Sequence, residues 1–262
     1  MKQKLIAIGA VWLFALIGFL FVEVPYDDWH TYRMVSLGVW QMYHNSGFYN
    51  PPYVATLLFP LAVLPEKIGF AILSASSVAM IMGMCLKYNM PVWACAILLV
   101  SPPTIYTLLH GQIDILLLGA YVFLPSEFRP YIALAKPQVT IGAIFTAPRK
   151  PWVFHVFILV ALYCAFSVIL GWSWPIDLLR STSGAEQYSW NATRLFLMPI
   201  GWLFMFYGYS LYDDDMCVAA SPLLMLYAAP SSFITPLFIL LKRAPAAVSV
   251  AALASLWIMV LS

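Results

Sequence analysis

The shortage of charged side chains is the feature that most limits what this chain can fold into. Among its 262 residues, 13 are Lys or Arg and 11 are Asp or Glu, so that only 9% are charged. Soluble domains have about 25% charged residues, which cover the surface that faces water. Here 63% of residues are hydrophobic and the mean hydropathy is +0.87. The composition therefore predicts a polytopic membrane protein, and it excludes a disordered chain, a secreted disulfide scaffold and a nucleic-acid-binding protein.

The apolar runs predict an all-α helix bundle that forms a single transmembrane domain over residues 1–262. A spanning helix needs about 20 apolar residues, and residues 5–22 form the first such run. Lys2 and Lys4 precede it, so the positive-inside rule places the N-terminus in the cytoplasm. We expect a multi-pass protein of the cell (inner) membrane. Several later runs are short and contain Pro, so we expect about eight to ten membrane segments. The later runs are 53–65, 68–86, 91–108, 113–125, 131–147, 152–172, 195–211, 216–229, 233–241 and 245–261.

Residues 24–52 form a polar stretch that we predict to be the first external loop. Its middle mixes aromatic, aliphatic and polar residues, which is typical of helices that lie in the membrane interface. Positive-inside counting favours a path in which Lys87 is cytoplasmic and His110 is external. This path requires 131–147 to be a re-entrant or broken pair with Lys136 at its apex. A simple alternation of straight helices is the alternative, and it would place His110 inside.

Ionisable residues near apolar runs are the candidates for function, because a charge within the bilayer is costly. The first cluster follows the first helix and contains Asp27, Asp28, His30, Tyr32 and Arg33. Adjacent acids raise each other's pKa and aromatic neighbours exclude water, so a carboxylate here can act as a general base. The alternative is that the two acids cap an interfacial helix.

A second cluster, Lys136 with Gln138, lies within an apolar run. A lysine in this position needs an anion, and a lipid-linked phosphate is a suitable one because an ammonium binds phosphate as a point charge. Pairing with Asp114, which would lock two helices together, is the alternative.

The third cluster is His110-Gly111-Gln112, between two apolar runs. It can bind hydroxyl groups or join helices by hydrogen bonds, and its spacing does not decide between these roles. Three consecutive acids at 213–215 are expected to form a solvated turn. No P-loop, GxGxxG, GxSxG or HExxH motif occurs, so nucleotide hydrolysis and the familiar hydrolase chemistries have no support. We expect no cofactor, and a divalent metal has no support in the sequence.

Taken in order, four motifs resemble the GT-C superfamily of polyprenol-phosphate-sugar-dependent glycosyltransferases. They are Asp28 followed by Tyr32, Tyr49-Asn50-Pro51-Pro52-Tyr53 with LLFPLAVLP, Ser101-Pro102-Pro103 leading to Gly111-Gln112, and Lys136-Pro137. Within this superfamily, residues 25–140 are most similar to family 87, which is mannosyltransferase-like. The resemblance implies a GT-C-like bundle whose partners are the lipid bilayer and a sugar carried on polyprenyl phosphate.

The activity that this resemblance implies is an inverting sugar transfer at the outer face of the membrane. Asp28 matches the family's catalytic carboxylate, which deprotonates the acceptor hydroxyl, and Lys136 would lie near the lipid phosphate. Together, the clusters and the resemblance predict that the substrate-binding residues are Asp27, His30, Tyr32, Arg33, Tyr49, Asn50, His110, Gly111, Gln112, Lys136 and Gln138.

The chain departs from the family in its length and in one late motif. Family members are typically much longer, and their Ser-Pro-His-Ser segment aligns with residues 229–232, so that Ser231 stands where the His would be. The alternative function is therefore a catalytically inactive, GT-C-like structural subunit of a larger membrane complex, with other membrane subunits as partners.

Overall fold

A computed structural model of the chain describes residues 2–38, 43, 48–146, 152–183, 194–225, 229–243, 246, 250, 253, 254 and 257. In these residues every regular element is helical, which confirms the predicted all-α membrane bundle. The α-helices are α1 Lys2–Phe21, α2 Asp27–Leu37, α3 Pro52–Ala62, α4 Glu66–Lys87, α5 Val92–Val100, α6 Pro102–His110, α7 Asp114–Phe123, α8 Arg129–Ala135, α9 Pro137–Thr140, α10 Trp152–Leu170, α11 Trp174–Ser183, α12 Arg194–Ser210, α13 Asp214–Ala219, α14 Ser221–Leu224 and α15 Ile234–Arg243. Short 3-10 segments cover Ser126–Phe128, Ile141–Thr146 and Pro230–Phe233.

Two of the described helices are long and apolar enough to cross a membrane, Gln3–Phe21 and Glu66–Lys87. The bent pair of α5 and α6 makes a third span if it is counted as one. The first of these helices presents large apolar side chains outwards, with Phe14 82% and Phe21 81% exposed, which suits contact with lipid. The apolar helices agree with a membrane protein, while about eight to ten membrane segments stays a prediction.

Helices α1 and α4 pack side by side in opposite directions and define the two ends of the bundle. Lys4 Nζ donates to the carbonyl oxygen of Leu86 at 3.2 Å, which brings Lys4 beside Lys87. We call this the lysine end. At the opposite end Phe19 packs edge-on against Phe70, and α2 lies across that end. We call it the α2 end; which side of the membrane each end faces stays a prediction.

The α5–α6 pair carries the chain from the lysine end to the α2 end. The two helices are bent by 55°. The bend falls at Ser101, because a residue that precedes proline is excluded from the helical region, and Ser101 is extended with φ −71° and ψ 146°. The backbone N–H of Tyr26 donates to the carbonyl oxygen of Leu109 at 3.1 Å. His110 therefore lies at the α2 end, opposite Lys4 and Lys87.

Helices α8 and α9, with the 3-10 segment Ile141–Thr146, form a hairpin. Pro137 removes the preceding Lys136 from the helical region, and its φ of −151° and ψ of 87° break the helix there. The chain then turns back, so that Thr140 Oγ1 donates to the carbonyl oxygen of Ile132 at 3.1 Å and Arg129 Nη1 donates to that of Thr146 at 3.0 Å. This hairpin confirms the predicted broken pair with Lys136 at its apex.

The acidic residues at 213–215 are paired with basic side chains and are not a solvated turn, so that prediction is wrong. They lie at the lysine end, because Lys242, the partner of Asp215, lies 4.0 Å from the ring centre of Tyr88, next to Lys87. Basic side chains from α8 and α15 converge on them because the tertiary structure brings those helix ends together. The ion pairs join Arg129 to Asp214 at 2.6 Å, Lys242 to Asp215 at 2.6 Å, Arg243 to Asp213 at 2.5 Å and Arg243 to Asp215 at 2.8 Å. We call these six residues the lysine-end cluster.

Trp29 fixes α2 against α4 and the end of α6. Its side chain is fully buried, and its Nε1 donates to the carbonyl oxygen of Glu66 at 2.9 Å. Gly69 and Gly111 leave the space that Trp29 fills, because a Cβ at either glycine would lie 2.5 or 2.6 Å from Trp29 atoms. Gly111 also ends α6 with φ +70°, a conformation that glycine adopts at little cost. These contacts determine where Asp28, the neighbour of Trp29, is held.

Candidate active site

A small cavity lies at the α2 end, where α2, residues 48–50, the α6–α7 turn and the hairpin apex meet. Its volume is about 30 Å³, enough for about one or two water molecules. The cavity is lined by Asp28, Thr31, Tyr32, Phe48, Tyr49, Asn50, Gln112, Lys136 and Gln138. All of these except Thr31 and Phe48 belong to the residues predicted from the sequence.

Helical periodicity decides which side chains of α2 reach the cavity. Asp28, Thr31 and Tyr32 are spaced i, i+3 and i+4, so they share one face of the helix. Neither acid at the start of α2 caps it, because the N-cap residue is Tyr26 and no side chain makes the cap hydrogen bond. Asp27 and Asp28 instead occupy the first turn, where the helix dipole favours negative charge.

Asp28 is held by a neutral partner. Gln112 Nε2 donates to Asp28 Oδ2 at 2.7 Å, across 84 residues of sequence. Burial removes water from the carboxylate and raises the pKa of Asp28 above its ordinary value of 3.8. The Gln112 hydrogen bond and the charge of Lys136 oppose that rise without reversing it. Asp28 is therefore a desolvated carboxylate of increased basicity.

Lys136 is the cation of the site, and two acceptors hold it at the hairpin apex. Its Nζ donates to Gln112 Oε1 at 2.5 Å and forms an ion pair with Asp114 Oδ1. Both charged side chains are almost completely buried, so each compensates the other's loss of hydration. The ion pair with Asp114, which is the alternative role predicted for Lys136 from the sequence, is thus present. Lys136 also lines the cavity.

Ser231 completes the polar network from the far end of the chain. Its hydroxyl donates to Gln112 Oε1 at 2.6 Å, and its side chain is fully buried in the 3-10 segment Pro230–Phe233. Ser231 therefore contacts the same Gln112 side chain as Asp28 and Lys136, while its correspondence to the family's His stays a prediction.

The remaining predicted residues lie beside the cavity rather than on its wall. His110 Nδ1 is 3.9 Å from Asp27 Oδ2, and this Asp side chain is 76% exposed. His30 Nδ1 lies 2.6 Å from Glu66 Oε1 and joins α2 to α4. Arg33 also lies off the face that Asp28 occupies, because five residues along a helix correspond to a large rotation. Substrate contacts by these side chains stay predictions.

Thr31 and Phe48 line the cavity but are not among the residues predicted from the sequence. Helical spacing from Asp28 is a signal that could have found Thr31. Ser231 is noted in the sequence only for its place in the late motif, and no local signal indicates its contact with Gln112, which is 119 residues away. Within the described ranges, no group of three or more His, Cys, Asp or Glu side chains is placed to hold a metal ion. Lys136 lines the cavity and carries the positive charge that an anionic ligand needs.

Comparison with known proteins relates part of the chain to a family. Residues 48–126 match the family model of glycosyltransferase family 87. The matched segment contains Tyr49, Asn50 and Gln112 of the cavity, while Asp28 and Lys136 lie outside it. No curated protein and no solved structure matches the chain. Over residues 48–126 the resemblance to glycosyltransferase family 87 is thus confirmed, and it indicates a glycosyltransferase.

Proposed function

We propose that this protein is an integral-membrane glycosyltransferase that uses a polyprenyl-phosphate sugar. It transfers a mannose-like sugar to an acceptor hydroxyl at the outer face of the membrane, with inversion at the sugar. The observation that carries the proposal is that one cavity is lined by both a carboxylate of increased basicity, Asp28, and a buried cation, Lys136. In the sequence, Asp28 precedes the segment that matches the family and Lys136 follows it.

The reaction needs a base for the acceptor and an anion site for the leaving group. The acceptor oxygen attacks C1 of the sugar on the face opposite the phosphate, and its proton moves to the Asp28 carboxylate. The bond between C1 and the phosphate oxygen breaks, and its electron pair leaves with polyprenyl phosphate. Because the nucleophile and the leaving group occupy opposite faces, the configuration at C1 inverts.

Lys136 is suited to the leaving phosphate. An ammonium has three N–H donors, and here two of them face Gln112 and Asp114. The third can donate to a phosphate oxygen in the cavity, which Lys136 lines. Asp114 balances the lysine charge when the site holds no phosphate, so that the cation is tolerated within an apolar bundle.

Asn50 is suited to a sugar hydroxyl. Its side chain is buried on the cavity wall, and its Nδ2 donates to the Tyr32 hydroxyl at 3.4 Å. Its Oδ1 is buried and has no hydrogen-bond partner among the described residues. A buried acceptor without a donor is costly, and a sugar hydroxyl in the cavity would supply that donor.

Transfer by the purified protein tests the proposal directly. In proteoliposomes supplied with a mannosyl-phosphoryl-polyprenol and an acceptor sugar, we expect Asp28→Asn to reduce the rate by about 10²–10⁴-fold, because the base is lost. Asp214→Asn is the matched control, since it removes a carboxylate from the lysine-end cluster and should retain transfer. An Asp28→Asn protein that turns over like the parent would refute the role of Asp28.

The second candidate is a non-catalytic subunit, and the size of the cavity favours it. About 30 Å³ holds water but not a hexose, so a bound sugar requires the walls of the cavity to move apart. A structural subunit would co-purify with other membrane proteins in fixed ratio, and Asp28→Asn would leave the function of that complex intact. Transfer by the protein alone rejects this candidate.

A further inference from the structure

Gln112 is the side chain that connects the two charged groups of the cavity. Its Nε2 donates to Asp28 Oδ2 at 2.7 Å. Its Oε1 accepts from Lys136 Nζ at 2.5 Å and from Ser231 Oγ at 2.6 Å. Gln112 is only 4% exposed, so these partners take the place of water around the amide.

The orientation of this amide follows from the chemistry of its partners. An ammonium can only donate hydrogen bonds, so the atom that faces Lys136 must be the carbonyl oxygen. An ionised carboxylate can only accept, so the atom that faces Asp28 must be the amide nitrogen. A reversed amide would set two donors against each other at Lys136 and two acceptors against each other at Asp28. Ser231 adds a second donor on the oxygen side.

We propose that Gln112 is a positioning residue for the base: Lys136 and Ser231 hold its amide so that its N–H occupies Oδ2 of Asp28 and leaves Oδ1 to take the acceptor proton. This inference rests on the proposed function, because it assumes that Asp28 is the base. It assigns to Gln112 and Ser231 a role that neither the matched segment nor the cavity lining by itself implies.

The amide also determines how much of Asp28 is ionised. Its N–H stabilises the carboxylate against burial, and removing it should leave Asp28 protonated up to a higher pH. The other titratable groups that face Asp28 from its own helix and its neighbours are Lys136, His110, Asp114, Tyr32 and Tyr106. Gln112→Leu removes none of these groups, and Lys136 keeps its ion pair with Asp114, so a change in the pH profile reports the loss of the amide.

The acid limb of the pH–rate profile is the test. We expect Gln112→Leu to move this limb to higher pH by about one unit, which is a tenfold loss of ionised Asp28 at pH values below the limb. Gln138→Leu makes the same chemical change on the same cavity wall. It can lower the rate, because Gln138 is a predicted substrate-binding residue, but the pH at which the limb falls should stay the same. Ser231→Ala should move the limb less than Gln112→Leu, because Lys136 still holds the amide.

A second variant covers the case in which Gln112→Leu does not fold. Gln112→Glu keeps the size of the side chain and places a carboxylate against Asp28, so it must move the limb further than the Leu variant does. If the folded Gln112 variants keep the parental limb while Asp28→Asn is inactive, the positioning role is overturned and the proposed function stands. If Asp28→Asn is as active as the parent, the proposed function itself fails.

Discussion

The two ends of the bundle hold their carboxylates in different ways. In the lysine-end cluster, three consecutive acids are matched by three basic side chains, and the Arg243 hydrogen bond lowers the pKa of Asp213. At the α2 end, the hydrogen bond to Asp28 comes from a neutral amide, and burial raises its pKa. Lys136, the cation that lines the same cavity, is one hydrogen bond further away, on the other side of Gln112.

This difference separates a structural use of charge from a chemical one. A carboxylate that is paired with arginine is stabilised as an anion and is a poor proton acceptor. A carboxylate that is desolvated beside a neutral donor binds a proton more readily, as a general base requires. The lysine-end cluster therefore holds helix ends together, while the α2 end carries the carboxylate suited to catalysis.

The largest effect on stability is expected when the buried pair at the α2 end is broken. Lys136→Met leaves Asp114 buried without its cation, and we expect a loss of about 3–5 kcal/mol in the free energy of unfolding. Lys242→Met at the lysine end should cost much less, because Asp215 keeps Arg243. Thermal unfolding in detergent measures both. Equal losses at the two ends would contradict the comparison, and Lys136→Met combined with Asp114→Asn should recover stability.

A smaller effect is expected from displacing α2 without touching a charge. Gly111→Ala places a methyl group 2.6 Å from Trp29 and strains a residue with φ +70°. We expect a loss of about 1–3 kcal/mol together with reduced transfer, because Asp28 moves with Trp29. Gly9→Ala is the matched control, since a Cβ at Gly9 in α1 meets nothing within 4 Å. Parental transfer in Gly111→Ala would mean that this glycine does not position the base.

A still smaller effect is expected from the most exposed cation of the lysine-end cluster. Arg243 is 44% exposed, so solvent screens its pairs with Asp213 and Asp215. We expect Arg243→Gln to cost about 1 kcal/mol and to leave sugar transfer unchanged. Unfolding temperature and transfer rate are measured on the same preparation. A large loss of transfer would show that the two ends are coupled.

The smallest expected effect is a difference in pH dependence between the carboxylates of the two ends. Asp28 has a raised pKa, so transfer should fall as the pH drops through a value above 3.8. Asp213 has a lowered pKa, so its stabilising pairs persist above 3.8 and are lost only as the pH falls through its lower folded value. Activity and unfolding temperature, followed from pH 7 downwards, should therefore decline in that order. The reverse order would contradict the assignment of the two ends.

Much of the site could be predicted because charges are scarce in this chain. Asp28 and Lys136 stand out as ionisable residues near apolar runs, and each has a local reason for its place. Pro137 breaks the helix at Lys136 and so forms the hairpin. Asp28 lies in the first turn of the helix that follows the first span. The acidic turn at 213–215 was misjudged because its partner Arg243 comes from α15, and no local pattern indicates that pairing.

By itself, the sequence determined the helical membrane class. It also predicted the break at Lys136, as one of two paths of the chain, and the candidate residues for chemistry. These follow from local quantities: hydropathy, the conformational restriction before proline and the cost of a charge in lipid. Only the tertiary structure decided that Gln112 joins Asp28 to Lys136, that Ser231 supports the same amide, and that the three acids at 213–215 are paired. Hydrogen bonds and ion pairs depend on distances of about 3 Å between groups that lie far apart along the chain, and packing alone sets those distances.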